Sequence, residues 1–387
     1  MAQAIISRRG GGSGSGYVTI TFNGASSLTK RGAAALSVGR SGLAATSVGD
    51  YALFGGGNDG SYSSVVDAYS KFGLIRTTPT ALSVGRSYLA ATTVGNYALF
   101  GGGSNGQYSS VVNAYNTSLN RTTPTALSVP RNDLSATTVG NYALFGGGSG
   151  SNSEVDAYNK SLTRSTPTAL SQARGQLAAT TVGSYALFGG GIGSGGSISS
   201  TVNAYNTSLN RTTPTALSQA RYDLAATTVG NYALFGGGSG YSSVVDAYNT
   251  SLTRSTPTAL SQARASLAAT TLGSYALFGG GFNGNYNYLE RVDAYDTSLT
   301  RSITNNLSQA RAFLAATTVG NFAFFGGGNS FYAGVEFFYV DNYVKVYPGT
   351  IYKLGSMTTE STSSTMKDII TTAPITGYIK IKDATIN

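Results

Sequence analysis

The chain has 387 residues, of which only 11% are charged and 41% are hydrophobic, so it is not disordered by composition. It contains no Cys, His or Trp, which excludes disulfides, thiolate metal sites and catalysis by a histidine base. No run of 18 apolar residues is present, and no membrane-spanning segment is predicted.

The net charge of +9 has two interpretations. The positive charge could face an anionic surface or nucleic acid. Alternatively, the arginines recur only because they belong to a repeated unit, which is the interpretation we favour. Nucleic acid is therefore not an expected partner.

The first 23 residues form an N-terminal arm. Gly10 to Gly16 is a Gly/Ser linker, and Tyr17 to Phe22 alternates as a strand does. The first ten residues lack the apolar stretch of a secretory signal, so we expect synthesis in the cytoplasm without export by that route.

One sequence motif then recurs seven times. Its fullest form runs from Arg221 through Tyr232-Ala-Leu-Phe to Gly236-Gly-Gly238, followed by Val245-Asp-Ala-Tyr248. The opening arginines are 43 to 47 residues apart. A period in this range indicates a solenoid, propeller or array.

Each repeat predicts four strands. "Leu-Ala-Ala-Thr-Thr-Val" and "Tyr-Ala-Leu-Phe" are joined by a two-residue turn such as Gly95-Asn96. "Val-Asp-Ala-Tyr" follows, and a last strand near Pro79, Pro124, Pro167, Pro214 and Pro257 should lie on an edge, since proline weakens a central strand. Four-stranded sheets repeated radially form a β-propeller.

The two ends of the repeat region predict that this propeller closes on itself. The seventh repeat lacks its fourth strand, whereas Ser27 to Arg40 matches Ser251 to Arg264, the fourth-strand segment of another repeat. The N-terminal segment should therefore complete the seventh sheet. The sequence predicts an all-β protein with a seven-bladed propeller at residues 24–340 and a β-rich tail at 341–387.

The order of opening Arg, Tyr-Ala-Leu-Phe-Gly-Gly, variable loop and Val-Asp-Ala-Tyr is similar to the kelch repeat. A Leu and an Arg follow the last Tyr where that family places a Trp. The resemblance implies a propeller that binds partners through its loops. The copper site of kelch-like galactose oxidase needs His and Cys, which this chain lacks.

Two places in the repeat vary, and a four-stranded meander puts both on one face. From the last Gly of each triplet to the aromatic residue of the third strand is 10, 12 or 14 residues, which indicates hairpins of different height. The pair after each opening Arg differs in every repeat. Tyr among Ser, Gly and Asn is typical of adaptable binding surfaces, although loop drift would also explain it. The candidate binding residues are Tyr62, Tyr88, Tyr108, Asp133, Tyr222, Asp223, Tyr241, Tyr286, Tyr288, Phe313 and Tyr332.

The opening arginines are candidates for a ring at the channel mouth that binds an anion, or for structural pairs with carbonyls and carboxylates. They are Arg40, Arg86, Arg131, Arg174, Arg221, Arg264 and Arg311. Asp67, Asp156, Asp246, Asp293 and Glu336 share one repeat position and are their expected partners, with Asn113 and Asn203 in the other two repeats.

No catalytic, cofactor or metal site is predicted. The glycine triplets are followed by neither Gly-Lys-Ser/Thr nor a helix and are not phosphate loops. Only Asp133 and Asp223 lie in the variable pair as carboxylates, which is little for an enzyme that acts on sugars. We expect a non-enzymatic protein.

The two ends of the chain resemble phage and prophage tail proteins. The resemblance rests on Met1-Ala-Gln-Ala-Ile-Ile-Ser-Arg-Arg-Gly-Gly11 and on Val344-Lys-Val-Tyr-Pro-Gly-Thr350. It implies a structural or adhesion component of a virion or tail-like particle, in which the terminal arms contact other subunits and the loop face binds a host-surface glycan or protein. The alternative is an intracellular kelch-type adaptor, and a sugar-acting propeller enzyme is third.

Overall fold

A computed structural model describes residues 3–8, 18–23, 27–149, 152–284 and 287–341. The chain divides into two compact units, Lys30–Phe338 and the combination of Met1–Thr29 with Tyr339–Asn387. The first unit is the propeller. In the second, β1 (Gln3–Arg8) and β2 (Val18–Asn23) form an antiparallel two-stranded sheet. β2 confirms the predicted strand, whereas β1 had not been predicted; the predicted tail strands after Asn342 lie outside the described residues.

Seven antiparallel four-stranded sheets form the blades, as predicted. The innermost strands are β4 (Ala44–Val48), β8 (Ala90–Val94), β12 (Ser135–Val139), β16 (Ala178–Val182), β20 (Ala225–Val229), β24 (Ala268–Leu272) and β28 (Ala315–Val319). The second strands are β5 (Tyr51–Gly55), β9 (Tyr97–Gly101), β13 (Tyr142–Gly146), β17 (Tyr185–Gly189), β21 (Tyr232–Gly236), β25 (Tyr275–Gly279) and β29 (Phe322–Gly326).

The outer half of each blade consists of a third strand and a short edge strand. The third strands are β6 (Val66–Ser70), β10 (Val112–Asn116), β14 (Val155–Asn159), β18 (Val202–Asn206), β22 (Val245–Asn249), β26 (Val292–Asp296) and β30 (Val335–Asp341). The edge strands are β7 (Arg76–Thr77), β11 (Arg121–Thr122), β15 (Arg164–Ser165), β19 (Arg211–Thr212), β23 (Arg254–Ser255), β27 (Arg301–Ile303) and, for the seventh blade, β3 (Ser27–Gly32). Among the described residues the helical content is one 3₁₀ turn, Ser194–Gly196.

The second strand is buried on both faces after its half-buried first residue, and this burial requires the apolar Ala-Leu-Phe that follows. In the second blade Ala98, Leu99 and Phe100 have no exposed surface, and the Phe100 ring meets Tyr115 edge to face at 5.9 Å. A Cβ placed on Gly55 of the preceding blade would lie 2.7 Å from the Phe100 ring. Glycine at that position therefore lets neighbouring blades pack closely.

The N-terminal segment closes the ring of blades, as predicted. β3 pairs with β30, so that the seventh sheet has the order β28-β29-β30-β3. Lys30 Nζ lies 2.8 Å from a carboxylate oxygen of Glu336, and the Ala33 amide donates to the Val335 carbonyl at 2.9 Å. No helix in the described part of the chain is long and apolar enough to cross a membrane.

Candidate functional site

The opening arginine of each repeat holds two blades together. Nη2 of Arg131 donates to the Phe145 carbonyl and to Asp156 of its own blade, at 3.1 and 2.7 Å. The Arg131 carbonyl accepts from the Gly103 amide of the preceding blade at 2.9 Å. This backbone bond recurs at all seven blade interfaces, including Gly328 to Arg40, which closes the circle.

The prediction that these arginines line the channel mouth is wrong. All seven are at most 1% exposed: Arg40, Arg86, Arg131, Arg174, Arg221, Arg264 and Arg311. Their Nη2 atoms bond to a carbonyl of the second strand and to the carboxylate or amide oxygen of the third strand, while Nε of each is buried without an acceptor among the described residues. The alternative, structural pairing with the shared acidic position, is confirmed by Arg40–Asp67 and its equivalents. Much of the positive charge is thus internal.

A different set of seven residues, two positions after each arginine, lies at one end of the propeller axis. Each amide donates to the carbonyl of its counterpart in the neighbouring blade, at 2.8–3.0 Å, and the seventh bond returns to the first residue. We call this closed circle the axial ring. Its members are Gly42, Tyr88, Asp133, Gln176, Asp223, Ser266 and Phe313.

The axial ring has one backbone conformation but many side chains. All seven residues adopt a left-handed conformation with φ between 51° and 61°. This region costs an ordinary residue about 1 kcal/mol relative to glycine, and only the first blade uses glycine. A second left-handed position, in the turn before the edge strand, is always Leu in blades two to six: Leu119, Leu162, Leu209, Leu252 and Leu299.

Two carboxylates make one side of the axial ring electronegative. Gln176 lies between Asp133 and Asp223 in the circle of hydrogen bonds. Burial raises the pKa of Asp223 to about 6, and the charge of Asp133 adds to this shift. Burial also raises the pKa of Asp133, although the Ser149 hydroxyl donates to it at 2.9 Å. Neither carboxylate forms an ion pair within the described part of the chain, unlike the five at the arginine position.

Aromatic side chains occupy the other side. The ring of Tyr88, which is 46% exposed, lies against Gly42. Phe313 stacks on Phe282 at 5.8 Å, and Phe282 meets Tyr241 edge to face at 6.1 Å. Burial and then the charges of the two ring carboxylates raise the pKa of Tyr88. The pKa of Tyr88 therefore depends on the charge of Asp133 and Asp223.

The variable loops and the variable pair after each arginine lie on the same face, as predicted. In the four blades with longer loops, the residue after the glycine triplet forms two antiparallel β-bridges. One joins it to the residue after the opening arginine, and the other joins it to the returning arm of the loop. In the second blade Ser104 bridges Ser87 and Tyr108 in this way. The loops therefore extend the hairpins. Tyr62, Tyr108 and Tyr288 are exposed on them.

Three further predicted residues differ in their surroundings. Tyr222 is half-buried, and its amide donates to the Ser239 hydroxyl at 2.9 Å. Tyr332 covers the guanidinium of Arg311, 4.9 Å from its ring centre, so that this tyrosine packs rather than faces solvent freely. Tyr286 lies outside the described residues.

A cavity of about 400 Å³ runs between the inner strands. Only Thr and Ala side chains line it, and threonine hydroxyls of neighbouring strands bond to each other, as Thr46 does to Thr93 at 2.8 Å. The cavity lining thus offers hydroxyl groups and no titratable side chain. No group of three or more potential metal ligands occurs among the described residues.

Comparison with known proteins supports the fold alone. No family model matches the chain, and no curated protein matches it. Among solved structures, it is similar to one titled "Structure of YjhT", with a TM-score of 0.52 and 12% identity over 81% of this chain and 97% of that one. The chain is therefore a seven-bladed β-propeller protein, and its kelch resemblance stays a prediction.

We predict that Asp223→Asn stabilises the protein at neutral pH. Because the pKa of Asp223 is raised on folding, its charged form opposes folding, and stability falls as the pH rises from about 4 to about 6. The variant should lose this slope and gain about 1–2 kcal/mol of unfolding free energy at pH 7.5. Denaturant unfolding at several pH values measures it.

Asp59→Asn is the matched control. Although burial opposes the shift, hydrogen bonds from Ser61 hold the pKa of Asp59 below its usual value, so this variant should be unchanged or slightly destabilised at pH 7.5. Equal effects of the two variants on the unfolding free energy at pH 7.5 would show that folding does not oppose the ionisation of Asp223.

Proposed function

We propose that the protein is a non-enzymatic binding module whose ligand contacts the axial ring and the loops around it. The observation that carries this proposal is the variety of the ring. Seven equivalent positions with one backbone conformation carry six residue types, while the strands of the repeat scarcely change. Six of the seven positions accept left-handed strain that glycine would avoid.

The leucines of the second left-handed position supply an internal comparison. They pack against the buried clusters between blades, as Leu119 and Leu162 do, and their identity does not vary. A left-handed residue that serves packing is thus uniform in this chain. The variety of the axial ring is what recognition of an asymmetric ligand requires, because each blade must then contribute a different contact.

The chemistry of the ring favours a neutral or amine-bearing sugar over an acidic one. The aromatic side offers faces on which the C–H groups of a sugar ring can pack, and carboxylates accept hydrogen bonds from hydroxyl or ammonium groups. Asp133 and Asp223 have no basic partner in the described part of the chain and would repel an anion. The net charge of +9 therefore does not describe the proposed binding surface.

We further propose that the protein is a component of a phage or phage-tail-like particle, with a host-surface glycan as the ligand and other subunits at the terminal arms. The terminal motifs support this assignment, since they resemble tail proteins. The alternative is an adaptor that binds a protein through the same face. A sugar-acting enzyme ranks third, because the cavity has no titratable lining and only two carboxylates lie in the ring.

The double variant Tyr88→Gly, Phe313→Gly separates binding from packing. Both residues are left-handed, so glycine relieves strain while removing the aromatic contacts, and the melting temperature should stay within about 2 °C of the wild type. Binding of the labelled protein to an array of neutral, amine-bearing and acidic glycans should fall at least about tenfold, the loss of 1.4 kcal/mol or more.

Leu162→Gly is the matched control, because it removes a large side chain from a left-handed position in the turn before the edge strand. It should lower the melting temperature and leave glycan binding unchanged. Unaltered binding in the double variant would refute the ring as the binding site. A preference of the wild type for acidic glycans would refute the predicted ligand chemistry.

Assignment to a particle predicts co-sedimentation. When a lysate of the source cells is run through a density gradient and the chain is followed by mass spectrometry, it should migrate with phage capsid or tail proteins. Migration near the top of the gradient, as expected for the 39.6 kDa monomer, would contradict this assignment and favour the adaptor. The glycan experiment is independent of this outcome.

A further inference from the structure

The buried arginine of most blades belongs to a three-membered charge cluster. Asp156 of the third blade accepts from Arg131 at 2.7 Å and from Arg164 of the edge strand at 2.9 Å. The first, fifth and sixth blades repeat this arrangement, and in the seventh Glu336 lies between Arg311 and Lys30. One carboxylate therefore compensates two basic side chains in each of five blades.

The second blade has the two basic side chains but no carboxylate. Asn113 replaces the acid, and its Oδ1 accepts from Arg86 Nη2 at 3.1 Å. An amide oxygen satisfies the hydrogen bond but carries no charge. Arg86 has no exposed surface, and burial together with repulsion from Arg121 lowers its pKa to about 10. Two close guanidinium groups thus have no counter-charge from this position.

Arg121 is left with unpaired donors. Its Nε and Nη1 are both buried and have no hydrogen-bond acceptor in the described part of the chain. Nε is unpaired in the equivalent Arg164, Arg254 and Arg301 too, but Nη1 of each of these reaches the carboxylate of its blade, so Nη1 is the donor that distinguishes Arg121. The fourth blade also has an asparagine, Asn203, but there Nη1 of Arg211 turns to the Ala169 carbonyl at 2.6 Å. Among the described blades, the second alone combines a missing carboxylate with buried, unpaired guanidinium donors at both Nε and Nη1.

We propose that a small inorganic anion binds in the second blade, held by Nε and Nη1 of Arg121, and supplies the negative charge that aspartate supplies elsewhere. The site is at the outer edge of the sheet, where Thr122 and Thr123 are exposed. Nε and Nη1 of Arg121 are themselves shielded from solvent, so the ion binds after a local movement of this edge side chain and without opening the core. An uncompensated guanidinium away from water is unfavourable, and a bound anion removes this penalty. The site is separate from the axial ring and independent of the function proposed for it.

The test compares chloride with gluconate, an anion too large for such a site, at equal ionic strength. Raising chloride from 10 mM to 500 mM should raise the melting temperature of the wild type by roughly 1–3 °C, because a ligand of the folded state stabilises it by mass action. Asn113→Asp places the carboxylate of the other blades between Arg86 and Arg121. This variant should melt higher than the wild type in gluconate and show no chloride-specific gain.

Asp156→Asn makes the reverse substitution in the third blade. It gives Arg131 and Arg164 the asparagine that Arg86 and Arg121 have in the second blade. It should melt lower in gluconate and show a larger chloride gain than the wild type. The line width of the ³⁵Cl resonance gives a second readout that does not depend on unfolding. It should broaden with the wild type and narrow with Asn113→Asp and with Arg121→Gln.

A chloride-specific gain of the same size in the wild type and in Asn113→Asp would overturn the proposal, and so would a wild type that melts equally in the two salts. A ³⁵Cl line width unchanged by Arg121→Gln would equally exclude Arg121 as the ligand.

Discussion

The double role of the opening arginine is the constraint on which the rest of the propeller depends. Its side chain joins the second and third strands of one blade, and its carbonyl accepts an amide from the blade before. Because the same residue serves both blades, their relative position is fixed at each interface. Seven such residues, closed by Gly328 and Arg40, turn a tandem repeat into a ring. The consequence is burial of seven guanidinium groups, which explains the carboxylate that recurs beside five of them.

Because this interface fixes the backbone, the side chains of the axial ring, two residues after each arginine, are free to differ between blades. The axial ring lies directly between the fixed arginine and the inner strand, and its own circle of backbone hydrogen bonds needs no particular side chain. The ring side chains can therefore differ without disturbing the fold. The symmetric scaffold therefore has an asymmetric surface. One side carries the carboxylates of Asp133 and Asp223, the other carries the aromatic rings of Tyr88 and Phe313, and Gly42 leaves a gap. The proposed recognition of an asymmetric ligand rests on this surface.

Sequence periodicity was sufficient to predict the blades, their strand count and the closing strand from the N-terminus, since each follows from comparing one repeat with the next. It also predicted the acidic partners of the arginines, from their shared repeat position. Of the two alternatives for the arginines, the ring at the channel mouth was wrong, because their side chains turn into the blade toward the shared acidic position. The axial ring was missed as a backbone motif: Tyr88 and Phe313 at these positions conceal a left-handed conformation that only Gly42 suggests. Local sequence does not encode a hydrogen bond between residues about 45 positions apart.

The circle of seven backbone hydrogen bonds is the central structural claim, and amide hydrogen exchange tests it most directly. The ring residues lie at an end of the axis beside exposed loops, where unbonded amides exchange rapidly. If the circle exists, the amides of Tyr88, Asp133, Gln176, Asp223, Ser266 and Phe313 exchange slowly and as one group, with protection close to that of the inner strands. Exchange of these amides as fast as that of the surrounding loops would contradict the claim, because the ring side chains would then have no fixed backbone.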